Sequence, residues 1–363
     1  MKLFDAGALR PGNTPARLSR FASAADLVNR TLAQHGLGPG VAPGSKGEGS
    51  GLPSSLPRMP VGLAGLQAGL HRATQDGPMP AGAHFRHEQY DCKEGGRAFR
   101  TYVPSTAAEG ITGIVLMLHG CTQTPEDFAT GTGMNALAER HRFVAVYPQQ
   151  ARGNNAQSCW NWFSRGDQRR DRGEPAILAG LTARIMAEFD VTSSHVFAAG
   201  LSAGAAMAVI LGETYPDIFS AIGVHSGLPF AAARDVPSAF AAMAGRTRAA
   251  AAPGGAETAL RSIVFHGTTD STVHPVNGEQ IAEHSVARHR GPMVETVKRG
   301  TAGGRSFART ITTMENGIAK LEHWVVDGLG HAWSGGSPAG SYTDPRGPDS
   351  SREMIRFFYG ATE

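Results

Sequence analysis

The segment at residues 196–211 constrains the fold more than any other part of this 363-residue chain. It begins with apolar residues typical of a buried strand, continues with the pattern Gly-x-Ser-x-Gly at residues 200–204, and ends in an alanine-rich stretch typical of a helix. A strand that turns into a helix so quickly leaves no room for side chains beside the serine, so Gly200 and Gly204 meet a steric requirement. This context predicts a sharp turn that raises the hydroxyl of Ser202 at the edge of a sheet.

The Gly-x-Ser-x-Gly pattern alone is weak support for a function, because glycine makes up 47 of the 363 residues and the pattern can occur by chance. Other catalytic residues must accompany the serine. A serine hydroxyl becomes a strong nucleophile only beside a general base that an acid orients, and both follow the serine in chains with this kind of turn. Asp270 follows an apolar stretch at residues 262–266, and His331 follows another at residues 321–326. Ser202, Asp270 and His331 are therefore the candidate catalytic triad.

Other residues compete for the roles of base and acid. His225 and His266 lie within predicted strands, where we expect them to be packed. His119 and His274 lie in predicted loops and remain candidates to face the cleft. Asp327 is the competing acid, and its position before a glycine turn indicates that it caps that turn.

Acyl transfer also needs two fixed N–H donors for the negative oxygen of the intermediate. The amide after the nucleophile, that of Ala203, is expected to be one of them. The second usually comes from the loop after an earlier strand, and residues 119–124 (HGCTQT) follow the apolar residues 116–118. We expect the amide of Cys121 to be the second donor of this oxyanion hole.

Apolar strands alternate with helical stretches along the rest of the chain. This alternation predicts an α/β protein with a mostly parallel, doubly wound sheet. Strands are expected at residues 84–92, 97–103, 114–118, 143–147, 196–201, 222–225, 263–266 and 321–326, and helices at residues 177–189, 278–288 and 350–358 among others.

Composition divides the chain into three parts. Residues 1–36 contain an amphipathic helix, which we expect either to dock on the main domain or to assemble a homo-oligomer. Residues 37–83 are rich in Gly, Pro and Ser, as linkers are. Residues 84–363 are expected to form the catalytic domain.

Several function classes do not fit the composition. The net charge of +3 is scattered and only 7% of residues are aromatic, which argues against a nucleic-acid partner. No apolar run is long enough for a membrane span, and the N-terminus has no evident secretory signal. The expected serine chemistry needs neither a metal nor an organic cofactor.

Five separated motifs, with a sixth segment near the C-terminus, carry a resemblance to one family. They are residues 119–123 (HGCTQ), 159–163 (CWNWF), 200–204 (GLSAG), 266–270 (HGTTD) and 330–336 (GHAWSGG), followed by 343–352 (TDPRGPDSSR). In this order, over roughly residues 84–360, the chain resembles the polyhydroxybutyrate (PHB) depolymerase family of esterases. The resemblance implies an α/β-hydrolase fold, with the nucleophile elbow at Ser202.

The resemblance also implies structural details. In that family, the positions of Cys121 and Cys159 are joined by a disulfide, which would leave Cys92 unpaired. Trp162 and Trp333, and less strongly Trp160, are candidates for an aromatic wall that contacts an ester chain.

The function implied by the resemblance is hydrolysis of a short-chain polyhydroxyalkanoate polyester or its oligomers. Feruloyl and acetyl-xylan esterases share the fold and chemistry, and an acyltransferase or a catalytically silent binding protein are further alternatives. The compartment stays open, although the resemblance and the implied disulfide favour a secreted or periplasmic protein.

Overall fold

The structure, a computed structural model, describes residues 79–248, 260–287, 289 and 291–360. The longer strands are β1 (His84–Cys92), β2 (Gly95–Val103), β3 (Gly113–Leu118), β4 (Phe143–Pro148), β5 (Val196–Leu201), β6 (Ala221–His225), β7 (Arg261–Gly267), β8 (Met293–Ala302), β9 (Arg305–Met314) and β10 (Ala319–Val326). Two short strands, β11 (Trp333–Ser334) and β12 (Thr343–Asp344), pair with each other. The helices are α1 (Pro125–Thr132), α2 (Met134–His141), α3 (Gly173–Phe189), α4 (Ala203–Thr214), α5 (Val236–Met243), α6 (Val276–Ala287) and α7 (Ser350–Phe358).

The ten longer strands form one sheet in the order β1-β2-β4-β3-β5-β6-β7-β10-β9-β8. The six central strands, from β4 to β10 in this order, run parallel. Antiparallel strands flank them on both sides. The prediction of a mostly parallel α/β sheet is confirmed.

Helices cover both faces of the central strands, and β3 shows how the sequence specifies this arrangement. Ile114, Leu116 and Leu118 belong to one apolar cluster with residues of α3 and α4, whereas Val115 and Met117 belong to a second cluster with residues of α2 and α7. All five side chains are completely buried. A strand covered on both faces requires an uninterrupted apolar run, which is the pattern in this segment.

The parallel strands bring the candidate catalytic residues to one edge of the sheet. Ser202 follows β5, Asp270 follows β7, His331 follows β10, and the loop at residues 119–124 follows β3. Because the carboxyl ends of parallel strands lie at the same edge, segments far apart in the chain meet there.

The antiparallel hairpin of β8 and β9 differs from the sequence prediction, which has no strands in this region. Six consecutive residues of β8, from 294 to 299, are exposed. A strand exposed on both faces has no alternation of apolar and polar residues, so its sequence carries no periodic signal.

Residues 1–78 lie outside the described residues. The N-terminal amphipathic helix and nearly all of the expected linker therefore stay predictions. In the part of the chain that the structure describes, no helix is long and apolar enough to cross a membrane.

Candidate active site

Ser202 lies at the tip of the tight turn between β5 and α4. Its φ and ψ angles are 57° and −118°, a conformation that costs a non-glycine residue roughly 1–3 kcal/mol. A Cβ on Gly204 would lie 2.0 Å from the carbonyl oxygen of Leu118, and a Cβ on Gly200 would lie 2.5 Å from the backbone of Gly204. The close approach of strand and helix therefore requires both glycines, as the motif predicts.

Asp270 and His331 form a buried hydrogen-bonded pair. The Nδ1–H of His331 donates to Oδ2 of Asp270 at 2.8 Å, and the two side chains are 7% and 0% exposed. The other carboxylate oxygen accepts the amides of Thr272 and Val273 at 3.0 and 2.9 Å. Because both oxygens are engaged, the carboxylate is fixed, and the proton on Nδ1 leaves Nε2 of His331 as the basic nitrogen.

The surroundings of Asp270 keep its carboxyl ionised. Burial alone would raise its pKa, but the charge and hydrogen bond of His331, the nearby His266 and the Val273 amide outweigh burial and lower the pKa to about 2. A carboxylate that stays negative at neutral pH orients the imidazole and stabilises the imidazolium that forms during catalysis.

His225, the last residue of β6, links the serine turn to the histidine loop. Its carbonyl oxygen accepts the amide of Ser202 at 2.9 Å, and its Nε2 accepts the amide of Ser334 at 3.1 Å, three residues after His331. The ring stacks on Trp333 with centroids 5.2 Å apart. Complete burial lowers the pKa of His225 to about 3, so the ring stays neutral and can accept this hydrogen bond. The sequence indicates only a packed strand histidine here, and no motif signals the bridge.

Within the described residues, no hydrogen bond joins the hydroxyl of Ser202 to Nε2 of His331. In substrate-free sites this contact is often long and tightens only when substrate binds. The hydrogen bonds of His225 join the turn at Ser202 to the loop that contains His331.

The loop after β3 leaves one suitable amide without an acceptor. The amide of Gly120 donates to Oε1 of Gln123 at 2.9 Å, and the amide of Thr122 donates to a neighbouring loop carbonyl at 2.9 Å. In the described part of the chain, the amides of Cys121 and Ala203 donate to no protein acceptor. These two donors are the ones that the sequence selects for an oxyanion.

The competing residues have other partners. His119 is completely buried, so it does not face a cleft, and its Nε2 accepts a backbone amide. His274 is exposed and accepts the amide of Val276 at 3.2 Å. Asp327 accepts the hydroxyl of Thr268 at 3.2 Å and thereby braces the glycine turn. Among the described residues, no cluster of His, Cys, Asp and Glu side chains could hold a metal ion.

A family model described as esterase PHB depolymerase matches residues 97–306, which is more than half of the chain. The chain belongs to the PHB depolymerase family of esterases. The poly(3-hydroxyalkanoate) depolymerase C of Paucimonas lemoignei is 34% identical over 228 residues, which cover 60% of this chain and 54% of that protein. The poly(3-hydroxybutyrate) depolymerase of Ralstonia pickettii is 29% identical over 248 residues, which cover 64% of this chain and 50% of that protein. The chain thus spans about half the length of these curated relatives.

Acetylxylan esterases are also similar to this PHB depolymerase family member. The acetylxylan esterase A of Aspergillus oryzae is 26% identical over 197 residues, which cover 49% of this chain and 62% of that protein. The solved acetyl xylan esterase from Aspergillus awamori superposes on this chain with a TM-score of 0.59 at 19% sequence identity. The superposition covers 73% of this chain and 94% of the esterase chain. Together with the parallel sheet, this likeness establishes the α/β-hydrolase fold.

The disulfide that the family resemblance implies is present. Cys121 and Cys159 are bonded, with their Cα atoms 4.3 Å apart. The bridge ties the loop that carries the Cys121 amide to the CWNWF motif. Cys92 is free and half-buried.

All three tryptophans expected in a substrate wall are buried core residues, and Trp160 and Trp333 have almost no exposed surface, so the expectation is wrong for those two. Trp160 is completely buried and donates from Nε1 to the carbonyl of His119 at 3.1 Å. Trp333 is 1% exposed and donates from Nε1 to the hydroxyl of Ser351 at 3.0 Å. Large aromatic side chains beside a site can brace its loops as well as line it, and the sequence motif does not separate these roles. Trp162, which is 6% exposed, stays a prediction.

Proposed function

We propose that this protein is a serine esterase that cleaves short-chain polyhydroxyalkanoate polyesters or their oligomers through an acyl-enzyme. Ser202 is the nucleophile and His331 is the general base. Asp270 orients the imidazole, and the amides of Ala203 and Cys121 bind the oxyanion.

In the first half-reaction, Oγ of Ser202 attacks the ester carbonyl while Nε2 of His331 takes its proton. The carbonyl oxygen becomes an oxyanion in reach of the two amides. When the intermediate collapses, the ester C–O bond breaks and the leaving alcohol takes the proton from His331. Water then repeats the sequence on the acyl-enzyme, releasing the acid and restoring the hydroxyl of Ser202.

The main support for this proposal is the hydrogen-bonded pair of Asp270 and His331, which lies at the same edge of the sheet as the turn that contains Ser202. The 2.8 Å hydrogen bond fixes the tautomer in which Nε2 can accept a proton. The strained backbone of Ser202 supports the same conclusion, since such conformations persist where the fold enforces them and cluster at active sites.

The substrate class rests on the family and on its two depolymerase relatives. An acetyl-xylan esterase is the second candidate, because the superposed acetyl xylan esterase is covered over 94% of its chain. Both activities use the same triad chemistry, so the acid and alcohol parts of the substrate must be tested directly.

The experiment is a substrate panel of 3-hydroxybutyrate oligomers, amorphous PHB, acetylated xylan and methyl ferulate. Released acids are quantified by chromatography for the wild type, Ser202→Ala and Ser193→Ala. Ser193 is a matched control because it precedes β5 at the opposite end from Ser202 and its hydroxyl makes no hydrogen bond in the described structure.

The proposal predicts release of hydroxybutyrate by the wild type and by Ser193→Ala, with a loss of at least about a thousandfold in Ser202→Ala. Release of acetate from xylan without hydroxybutyrate would favour the second candidate. Full activity of Ser202→Ala would refute the mechanism.

A further inference from the structure

The outer edge of β8 ends the sheet. Within the described residues β8 pairs only with β9, so the N–H and C=O groups on its other side meet no further strand. Natural proteins usually shorten, bulge or cover such edges because an open ladder of ten residues is a template for another strand. Here the strand is long and its pairing with β9 is regular throughout.

Exposed apolar side chains concentrate at this edge. The described residues contain four exposed large hydrophobic side chains, and two of them lie on β8. Val294 and Val297 of β8 are 67% and 51% exposed, and Ile318 in the β9–β10 turn is 44% exposed. The fourth, Met79, is the first described residue. A strand that pairs with this open edge would cover part of the exposed valine side chains.

The charges of β8 are complementary to those of a second copy of β8. Two antiparallel strands pair only if facing residues both direct their backbone groups toward the partner or both away. In a symmetric pair of two identical strands, the twofold axis therefore passes beside one residue, which faces the same residue of the other strand. Centring on Val297 places Glu295 of each strand opposite Arg299 of the other, so the pair occurs twice.

Neighbouring registers lack this match. Centring on Lys298 places two lysines opposite each other, and centring on Thr296 places Glu295 opposite Val297. Like charges directly opposite each other destabilise a sheet, whereas opposite charges stabilise it. In the described structure, neither Glu295 nor Arg299 forms an ion pair, so both are available in the Val297 register.

In the part of the chain that the structure describes, the neighbouring elements leave room for this pairing. Helix α6 packs against β7 and β10. The β8–β9 hairpin extends the sheet beyond β10, and most of β8 is exposed.

We propose that two copies of this chain associate through β8, paired antiparallel about Val297, to form one continuous sheet. The ion pairs between Glu295 and Arg299 select the register. The occupant of this edge is thus a second copy of the chain, and the N-terminal segment at residues 1–78 is the competing occupant.

The test measures the dimer dissociation constant of the full chain by analytical ultracentrifugation. Glu295→Arg and Arg299→Glu each place like charges opposite each other twice, and each should weaken the dimer about tenfold or more. The double charge swap restores both pairs and should return the constant to within about threefold of the wild type. Arg246→Glu, an exposed charge change outside the hairpin, should leave it unchanged.

A wild-type chain that stays monomeric at all accessible concentrations would overturn the proposal and favour coverage by the N-terminal segment. A dimer that neither single substitution weakens would also overturn it, because association would then use another surface. All four variants change exposed side chains, and far-UV circular dichroism verifies that each is folded.

Discussion

Removal of the Cys121–Cys159 disulfide tests how the oxyanion loop is held. Cys159→Ala breaks the bridge and leaves the Cys121 residue in place. The two cysteines are 38 residues apart in the chain, and closing a loop of that size reduces the entropy of the unfolded chain by an amount worth about 4 kcal/mol at 25 °C. We therefore expect the free energy of unfolding to fall by about 2–4 kcal/mol, since strain and residual structure usually reduce the full value.

The same change should affect catalysis less than the loss of an oxyanion donor does. Losing one donor costs about 10²–10³ in kcat. Hydrogen bonds of Gly120, Thr122 and Gln123 still brace the loop when the bridge is absent. We expect kcat for a p-nitrophenyl ester to fall about three- to tenfold, with a smaller change in KM, because the amide of Cys121 is less well fixed where it stabilises the transition state.

The assays are urea unfolding followed by circular dichroism and steady-state ester hydrolysis, both under non-reducing conditions. Cys92→Ala is the matched control, because Cys92 is free and half-buried. Equal unfolding midpoints for Cys159→Ala and Cys92→Ala would refute the stabilising role of the bridge. An unchanged kcat would show that the disulfide does not position the Cys121 amide.

Three further outcomes follow from the site. The pKa of Asp270 is about 2 in the folded protein, against an ordinary value of 3.8. Its carboxylate therefore contributes roughly 2 kcal/mol of stability above pH 4, and this contribution is lost as the pH falls toward 2. Between pH 5 and pH 2.5, the free energy of unfolding in urea should fall less in Asp270→Asn than in the wild type, and equal decreases would contradict this. Gly204→Ala should destabilise the protein by at least about 3 kcal/mol because of the 2.0 Å contact, whereas Gly153→Ala, whose Cβ would meet no atom within 4 Å, should leave the melting temperature nearly unchanged. His225→Leu removes the acceptor of the Ser334 amide and should cost about 1–3 kcal/mol of stability while lowering kcat more than KM; an unchanged kcat would show that the histidine loop is held without this bridge.

The parallel sheet could be predicted from the sequence because its strands are buried on both faces. Uninterrupted apolar runs such as residues 114–118 have few alternatives in a chain of this composition. The steric need for glycine at Gly200 and Gly204 is equally local, so the serine turn could also be recognised from neighbouring residues.

The features that depend on distant contacts could not be predicted. Strand β8 is mostly exposed and has no periodic pattern, and the position of the β8–β9 hairpin in the sheet is set by the pairing of β9 with β10. Trp160 and Trp333 stand in motifs beside the site, but only the packed structure shows that their indole N–H groups bond to interior oxygens. The bridge through His225 joins three strands' loops, and no local pattern in the sequence encodes such a contact.

Covalent labelling with a fluorophosphonate tests most directly whether Ser202 is the nucleophile of this site. Intact mass spectrometry counts the adducts on each chain, and peptide mapping locates them. The proposed mechanism predicts one adduct per chain on Ser202, no adduct in Ser202→Ala, and much slower labelling in His331→Ala than in the wild type. An unlabelled wild-type chain, or an adduct on another residue that accompanies loss of esterase activity, would contradict it.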